Sequence, residues 1–401
     1  MSSYILTIDL GGTKCCLSLW QSSCAAVPQK VSSQTIPTDF ADEQGLLAKI
    51  QSFLLYISSK QAPSQPVKPE ACTLAMAGRI APGAEELSLT NNPCQIHTGR
   101  LREGLNCPLA VLNDLEALAH ALPALADAPN PQEPDKPAQL RQIYPQKAAN
   151  FAPFTPPFLH NSMHNAPGFS APAIAAAVGT GLGVAARLPG GRVVPTEAGH
   201  CAFAPENPDQ LRLWRALREH QSFLPSNTLN QPEPASGPAP YPFNEQILSG
   251  MGLCNILYTI LPSAPKPLLQ NPALISLCAQ GCTNLHSICT ASAPYNPDYN
   301  IDYNSEELQT ACREAFRLLS SCLGACMSNL ALTFLAGGGI FLGGGVLTKN
   351  PSLFDEQAFI EAFLKPGAFR QTLAQIPVWL IQDPDALSLG AALFAEYNIL
   401  G

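Results

Sequence analysis

The feature that most constrains the fold of this chain is a pair of adjacent glycines set between two apolar runs near its start. The run at residues 4–8 leads into the hexapeptide DLGGTK at residues 9–14, and a second run with alternating apolar positions occupies residues 15–20. This pattern predicts a strand, a tight turn and a return strand. Two glycines allow successive backbone N–H groups to point into one concavity that suits a phosphate, although a Gly-Gly hairpin needs no ligand.

The polar residues of this turn fit the same chemistry. Thr13 and Lys14 would add a hydroxyl and a cation beside the glycines. Asp9 ends the incoming strand, where a carboxylate could hold a magnesium ion or its waters.

A second unit of the same kind lies more than 150 residues further along the chain. Residues 173–178 form an apolar run, GTGLG follows at 179–183, and a second apolar run covers 184–188. The repeat predicts a duplicated sheet whose two glycine turns hold a nucleotide from both sides.

Length and composition exclude several classes of protein. The chain has 401 residues, which favours two lobes around a cleft, and 46% of them are hydrophobic. Charged residues make up 13%, the net charge is −8, and nothing basic is clustered, which argues against nucleic acid or an anionic membrane as partner. We see no apolar run long enough to span a bilayer and no secretory signal, so the sequence predicts a soluble, cytoplasmic enzyme.

The 14 cysteines are scattered, and many lie inside apolar runs. This distribution predicts buried free thiols and no disulfide scaffold. The triplet Cys278, Cys282 and Cys289 lacks the two-residue spacing of a zinc knuckle, which disfavours a metal site there without closing that alternative.

Periodicity predicts the remaining elements. Helices are expected over 41–59, from 115 until Pro123, over 305–334 and 355–364, and from 386 onward; buried strands are expected over 72–77, 109–112, 377–381 and within 336–346. Three proline-rich excursions, 124–172, 221–242 and 291–304, show little periodicity, with a short strand expected around 140–144.

Eight motifs in order resemble the sugar-kinase branch of the actin-like ATPase superfamily, and most closely the zinc-free bacterial glucokinase family. They are DLGGTK at 9–14, LTN at 89–91, LND at 112–114, GTGLG at 179–183, TEAGH at 196–200, EQILSG at 245–250, GGIFLGGGV at 338–346 and SLGAALF at 388–394. The resemblance implies an α/β, two-lobed actin-like ATPase (ribonuclease H-like) fold with duplicated mixed sheets flanked by helices. Residues 1–123 with 383–401 would form the small lobe, and 124–382 the large lobe.

The resemblance also implies an activity, ATP-dependent phosphorylation of glucose at the first step of glycolysis, with Asp114 as the general base that takes the proton from the sugar hydroxyl. A carboxylate at a strand end, pointing into a cleft, suits that role. The tripeptide LND alone favours Asp114 as the N-cap of the helix that follows, and the surrounding motifs reverse that preference.

Sugar and nucleotide contacts follow from the same motifs. The sugar hydroxyls would be bound by Asn91, Asn113, Asp114, Glu197, His200 and Glu245. The phosphates and adenosine would be bound by Asp9, Gly11, Gly12, Thr13, Lys14, Gly179, Thr180, Gly181, Gly338, Gly339 and Gly344, with Asp9 holding Mg²⁺ through water.

Each assignment has a structural alternative. Glu245 could be a first-turn helix acid, and Glu197 with His200 could form a solvated loop or half of a metal site. The late glycine clusters could serve close packing of a strand against a helix.

Two departures from the family pattern bear on cofactor and substrate. The Cys-x-Cys-Gly run of the zinc-containing relatives is missing after His200, so no zinc is expected. Pro93-Cys94 stands where glucokinases often place an aromatic residue, which leaves the sugar open. The partners expected are glucose or a similar hexose and ATP, in a homodimer; a kinase for another hexose or an amino sugar, and a catalytically silent sugar sensor, are the alternatives.

Overall fold

The computed structural model describes residues 3–22, 27–60, 67–78, 80, 83–89, 92–126, 140–145, 170–219, 241–282, 305–365 and 367–400. Within them the chain forms two mixed β-sheets with helices on their faces, the α/β class expected from the sequence.

The first sheet is built around the first glycine turn. Its strands are β1 (Tyr4–Leu10), β2 (Lys14–Gln21), β3 (Gln29–Pro37), β4 (Ala71–Met76) and β7 (Leu109–Asn113), in the order β3-β2-β1-β4-β7. β1 pairs antiparallel with β2 and parallel with β4, and β4 pairs parallel with β7. The carboxyl ends of β1, β4 and β7 therefore lie at one edge of the sheet.

The second sheet repeats this pattern. Its strands are β8 (Leu140–Tyr144), β9 (Ala173–Val178), β10 (Leu182–Arg187), β11 (Val193–Thr196), β12 (Gly339–Gly343) and β13 (Val378–Ile381). Their order, β11-β10-β9-β12-β13-β8, places an antiparallel hairpin beside two parallel strands, as in the first sheet. The predicted duplication and the short strand around 140–144 are confirmed. That strand, β8, pairs antiparallel with β13 and is an edge strand of the sheet.

A small hairpin was not predicted. β5 (Glu86–Ser88) pairs with β6 (Gln95–His97), and α2 (Thr98–Leu105) follows at once. The tip of this hairpin contains the LTN motif, although Thr90 and Asn91 themselves lie outside the described residues.

The outer face of the first sheet is covered by α1 (Glu43–Lys60). Its buried stripe contains Leu46, Ile50, Phe53 and Ile57, which pack against the β1 side chains that face outward. The helix predicted at 41–59 is confirmed within two residues.

The second core is organised around the long helix α8 (Glu306–Phe334), which begins where Ser305 Oγ accepts a hydrogen bond from Leu308 N (3.4 Å). By length and composition this helix could cross a membrane, but 78% of its most apolar window is buried inside the protein. The sequence analysis expected no apolar run long enough to span a bilayer. On length and hydropathy alone that expectation is wrong for α8, although a core helix surrounded by protein passes the same test.

Seven further helices lie outside the space between the two sheets. They are α4 (Pro208–Glu219), α5 (Gly250–Ile260), α6 (Lys266–Gln270), α7 (Pro272–Ala279), α9 (Gly345–Thr348), α10 (Glu356–Phe363) and α11 (Arg370–Leu373), counted over the described part of the chain. α5, α7 and α10 pack on α8. The helix predicted at 355–364 corresponds to α10, while α4, α5, α6 and α7 were not predicted from the sequence.

Two helices lie between the sheets. α3 (Asp114–Ala126) packs on β9 and β10, and α12 (Ala386–Ala395) packs on β1 and β4. They meet where Gly390 faces α3: a Cβ there would lie 1.8 Å from Ala117 O. α3 continues through Pro123, so the prediction that the helix ends at that proline is wrong. The first excursion therefore begins after Ala126.

The cysteines of the described residues are free thiols, and eight of these twelve are buried, which confirms the main expectation. Cys201 is an exposed exception. Cys289 lies outside the described residues, as do most residues of the three proline-rich excursions.

Candidate active site

The first glycine turn connects β1 to β2 at the carboxyl edge of the first sheet. Gly11 N donates to Lys14 O (2.9 Å), which closes the turn. Thr13 and Lys14 are exposed, so the predicted hydroxyl and cation are accessible from solvent. A concave turn with solvent on one face can accept a phosphate through backbone N–H groups.

Asp9 lies on the inner face of β1, which α12 covers. Alternate residues of a strand share a face, so Asp9 lies on the same side as Thr7, whose hydroxyl is hydrogen-bonded to Ser388 of α12 (2.7 Å). Ile8 and Leu10 project to the opposite face and join the core under α1.

The surroundings of Asp9 favour a cation beside it. Burial of the carboxyl, and then the neighbouring Asp114, raise the pKa of Asp9 to about 7. A positive ion at this position would stabilise the charged form of the carboxylate, which is the behaviour expected of a group that holds a metal.

Asn113 and Asp114 end β7 and begin α3 at the same edge. Asn113 Oδ1 accepts from Leu115 N (2.9 Å) and Glu116 N (3.4 Å), while its Nδ2 donates to Gly78 O (3.1 Å). Asn113 is thus the N-cap of α3, and Asp114 is the first helical residue. The alternative that Asp114 is the N-cap is wrong, because the Asn113 side chain binds the free N–H groups of the first turn.

The carboxylate of Asp114 accepts a hydrogen bond from Leu115 N at 2.9 Å. Burial raises its pKa, the backbone N–H groups of Leu115 and of Asp114 itself lower it, and the negative charge of Glu197 raises it again, to a net value of about 6. A partly buried carboxylate with a pKa just below neutral can accept a proton from a bound hydroxyl.

Glu197 and His200 come from the second sheet. Glu197 precedes the short 3₁₀ turn Ala198–His200 that follows β11, His200 ends that turn, and both residues are exposed. Glu197 is close enough to Asp114 to raise its pKa, so the two sheets contribute carboxylates to one place. The His200 ring lies against Phe243, with 5.5 Å between ring centroids.

Glu245 is held on the second glycine turn. The turn is closed by Gly179 N donating to Gly181 O (2.9 Å), and Glu245 Oε2 accepts from Leu182 N (2.9 Å). A Cβ on Gly181 would lie 2.3 Å from that oxygen, so the glycine leaves room for the carboxylate. Glu245 lies in the short 3₁₀ turn Asn244–Gln246, which agrees with the alternative that it is a first-turn helix acid. Its carboxylate, however, binds the glycine turn and not the N–H groups of its own helix.

Gly199 lies where the turn that carries Glu197 and His200 contacts the second glycine turn. A Cβ on Gly199 would lie 2.4 Å from Leu182 O and 3.6 Å from Glu245 Oε2. The turn that carries Glu197 and His200 therefore packs directly on the turn that carries Glu245. Asn244 Nδ2 donates to Ala198 O (2.9 Å) and fixes this packing from the other side.

The late glycines lie at opposite ends of the strands of the second sheet. Gly344 has φ +91°, and a Cβ there would lie 2.4 Å from Val178 O, at the strand end that leads into the second turn. Gly339 pairs with Ala173, at the start of β9, and Gly338 N donates to Pro172 O (2.9 Å). Gly338 and Gly339 are buried, and they lie roughly 16 Å from the second glycine turn, measured along the strand. The structure brings Gly344 to the site edge and does not bring Gly338 and Gly339 there; these two glycines contact Pro172 and Ala173, where β9 begins.

Two side chains that support the first turn were missed by the sequence analysis. Thr38 Oγ1 donates to Gly11 O (2.9 Å), and Asn92 Nδ2 donates to Gly12 O (2.6 Å). The signal in the sequence is the polar pair Asn91-Asn92 beside a proline, which is typical of a turn. Asn91 itself lies outside the described residues.

Asp9 is the candidate metal ligand of this site. Among the described residues, no group of three or more His, Cys, Asp or Glu side chains could hold a metal ion. Magnesium often uses one or two protein carboxylates together with waters and substrate phosphates. A single half-buried carboxylate beside a turn that can take phosphate fits that arrangement.

The chain is similar in sequence to proteins of a known family. The family model described as Glucokinase matches residues 6–151, 160–229 and 242–398. The chain is 25% identical over 396 residues to the glucokinase of Nostoc punctiforme, an alignment that covers 98% of each chain.

Two solved structures share the fold. A glucokinase from an Antarctic psychrotroph has a TM-score of 0.66 at 22% identity, with 98% of both chains covered. A glucokinase from Balamuthia mandrillaris in complex with glucose has a TM-score of 0.65 at 21% identity and covers 98% of this chain and 94% of its own. The chain therefore belongs to the glucokinase family, with the actin-like kinase fold.

Proposed function

We propose that this chain transfers the terminal phosphoryl group of ATP to the 6-hydroxyl of glucose, with Asp114 as the general base. The observation that carries the proposal is the position of Asp114 at the junction of the sheets, beside Asp9 and Glu197, with a pKa of about 6. The similar proteins from Nostoc punctiforme and Balamuthia mandrillaris are glucokinases, and the second was solved with glucose.

The sugar would lie between the two sheets. Glu197 and His200 are exposed there, Glu245 has one carboxylate oxygen beyond its bond to Leu182 N, and Asn113 retains one amide hydrogen beyond its bond to Gly78 O. Several fixed donors and acceptors are what a hexose requires, because each unpaired hydroxyl costs binding energy. Asn91 would complete this set.

The nucleotide would be bound by the two glycine turns. Gly11, Gly12, Thr13 and Lys14 would contact one end of the phosphate chain, and Gly179, Thr180 and Gly181 the other, with Gly344 as part of the adenosine wall. Asp9 would hold Mg²⁺ through water. When bound, this ion supplies positive charge that neutralises the phosphate oxygens.

In the reaction, Asp114 accepts the proton of the 6-hydroxyl as that oxygen attacks the terminal phosphorus. The sugar oxygen forms the new bond to phosphorus, and ADP leaves with the electrons of the broken bond. Closure of the small lobe (1–123 with 383–401) on the large lobe (124–382) would exclude water, so that the phosphoryl group is not lost to hydrolysis. We further propose that the enzyme is a cytoplasmic homodimer at the first step of glycolysis.

The test is ADP release with ATP and magnesium, comparing glucose with mannose, fructose, N-acetylglucosamine and no sugar. We expect turnover with glucose far above the others. Turnover with a different hexose or an amino sugar would contradict the substrate assignment and keep the mechanism. No turnover with any sugar would contradict the kinase and favour a sugar sensor.

A further inference from the structure

Arg187 is a buried arginine at the end of β10 that lies away from the candidate active site. It is 7% exposed, and it lies at the far end of β10 from Leu182, roughly 16 Å along the strand. The strand pairs it with Ala173, at the start of β9. Because alternate residues of a strand share a face, Arg187 projects on the same side as Ala185, which is buried in the core between the two sheets.

The guanidinium of Arg187 has polar atoms without partners. Its Nε and Nη1 are both buried, and neither makes a hydrogen bond within the described part of the chain. Burial lowers the pKa of Arg187, and among the described residues the group that opposes this effect is the phenol of Tyr397, not a carboxylate. Glu396 is the neighbour of Tyr397 in sequence, but its Oε1 accepts from Ser22 Oγ (2.8 Å).

A buried positive charge without a counter-ion is destabilising, and buried donors without acceptors are rare in folded proteins. Nε carries one N–H and Nη1 carries two, and an arginine stays protonated at any ordinary pH. Guanidinium groups bind carboxylate and phosphate oxygens through short, charge-assisted hydrogen bonds. An oxyanion bound beside Arg187 would therefore supply both the charge and the acceptors that the surrounding described residues do not.

Two neighbouring side chains can donate to the same anion. Burial, and then the charge of Arg187, lower the pKa of His120 in α3 to about 4, so its ring is neutral at pH 7 and carries one N–H donor. The ring is held edge-on by Phe394 of α12, with 5.1 Å between ring centroids. Tyr397 adds a hydroxyl, and because it is 60% exposed, the guanidinium beside it lies just beneath the surface.

We propose that Arg187, with His120 and Tyr397, binds a phosphate group between the two sheets, at the end of the second sheet opposite its glycine turn. Three donor side chains approach from different elements, and the oxygens of a tetrahedral phosphate can accept from all of them. Tyr397 is the exposed wall of the site, and rotation of its side chain admits the ligand. None of these three residues is assigned to sugar or nucleotide, so the inference goes beyond the proposed function.

The test is calorimetric titration of inorganic phosphate into the native chain, Arg187→Met and Arg192→Met, with chloride at equal ionic strength as the comparison. The candidate active site is first filled with glucose, magnesium and a non-hydrolysable ATP analogue, because its glycine turns can also take phosphate. Methionine keeps an unbranched side chain without the charge. Arg192 is exposed and lies between β10 and β11, which makes it the matched control.

We expect one phosphate per chain in the native protein and in Arg192→Met. In Arg187→Met the affinity for phosphate should fall at least about tenfold. A parallel titration with glucose 6-phosphate distinguishes free phosphate from a phosphate ester as the source, and binding of either one that Arg187→Met loses supports the site.

Thermal unfolding gives a second readout that a merely structural arginine would not produce. Without phosphate, Arg187→Met should have the higher Tm, because the unpartnered charge is gone. Saturating phosphate should raise the Tm of the native chain and leave Arg187→Met unchanged, so that the order of the two Tm values reverses.

Several outcomes would overturn the inference. Equal phosphate affinity in the native chain and Arg187→Met would do so, as would a lower Tm of Arg187→Met with and without phosphate. An equal loss of affinity in Arg192→Met would reduce the binding to general attraction by surface charge.

Two further cases are covered by the same experiment. If Arg187→Met does not fold, Arg187→Lys keeps the charge but not the planar set of donors, and it should bind phosphate about tenfold more weakly than the native chain. If the native chain does not bind the ATP analogue, the proposed function fails, while the phosphate lost between the native chain and Arg187→Met still decides the site.

Discussion

Replacing Gly181 by alanine should weaken the use of glucose by displacing the Glu245 carboxylate. A Cβ at this position would lie 2.3 Å from Glu245 Oε2 and 2.9 Å from its Cδ. Since a Cβ is essentially never found within 3.0 Å of another heavy atom, the carboxylate must move by at least about 0.7 Å. That movement breaks its hydrogen bond with Leu182 N, now 2.9 Å long.

The size of the effect follows from the bond that glucose would lose. A hydrogen bond to a charged group contributes about 1.5–3 kcal/mol. If Glu245 no longer reaches the sugar, kcat/KM for glucose should fall roughly 10- to 150-fold. The measurement is the initial rate of ADP release, with glucose varied at saturating ATP and magnesium.

Gly179→Ala is the matched control. It lies in the same turn, and a Cβ there would meet no atom within 4 Å. Its kcat/KM for glucose should therefore stay within about twofold of the native value, even if its KM for ATP rises. The added methyl group and the turn are the same in both variants, and only the contact with Glu245 differs.

A double-mutant cycle makes the reasoning refutable. In a Glu245→Ala background, Gly181→Ala should cause little further loss, because the group that it displaces has already been removed. Full additivity of the two changes would refute the account. So would equal losses of kcat/KM for glucose in Gly181→Ala and Gly179→Ala.

Three further predictions concern the base and the contact between the sheets. Asp114→Asn should cut turnover roughly 10²- to 10⁴-fold while glucose binding measured by calorimetry is retained; near-normal turnover would exclude Asp114 as the base. Because Asp114 must be ionised to accept a proton, kcat/KM for glucose in the native protein should fall as the pH drops below about 6, and the residual activity of Asp114→Asn should lack this acid limb. Gly390→Ala should lower the free energy of unfolding in urea by about 1–3 kcal/mol, because its Cβ would overlap Ala117 O. Gly345→Ala, whose Cβ would meet only the end of the Lys349 side chain, is the control and should be near neutral.

The parts of the site that could be predicted from sequence are those whose chemistry is local. A glycine pair between two alternating apolar runs specifies a strand, a turn and a strand without reference to the rest of the chain. Both glycine turns were found in this way, and the repeated strand order of the two sheets agrees with them.

The missed elements lack a local signal. β3 (Gln29–Pro37) is exposed along most of its length, with Ile36 as a buried residue, so its sequence shows no alternation. β5 and β6 have three residues each, too few to show a period.

Other features depended on contacts between distant residues. Asn113 and Asp114 are adjacent, and only the hydrogen bonds to Leu115 N and Glu116 N show that Asn113 caps the helix. In sequence, Gly339 and Gly344 both resemble nucleotide-binding glycines. The structure, however, places them at opposite ends of the strands of one sheet. The role of Asn92 depends on a contact with Gly12, 80 residues away in sequence.

The central claim is that glucose accepts the phosphoryl group on its 6-hydroxyl, with Asp114 taking the proton. The most direct measurement compares ADP release with glucose and with 6-deoxyglucose, which lacks only that hydroxyl. We expect rapid, saturable turnover with glucose, formation of glucose 6-phosphate, and competitive inhibition by 6-deoxyglucose without turnover above the rate with no sugar. Phosphorylation of 6-deoxyglucose at a rate similar to that of glucose would contradict the account, because the acceptor would then be another hydroxyl.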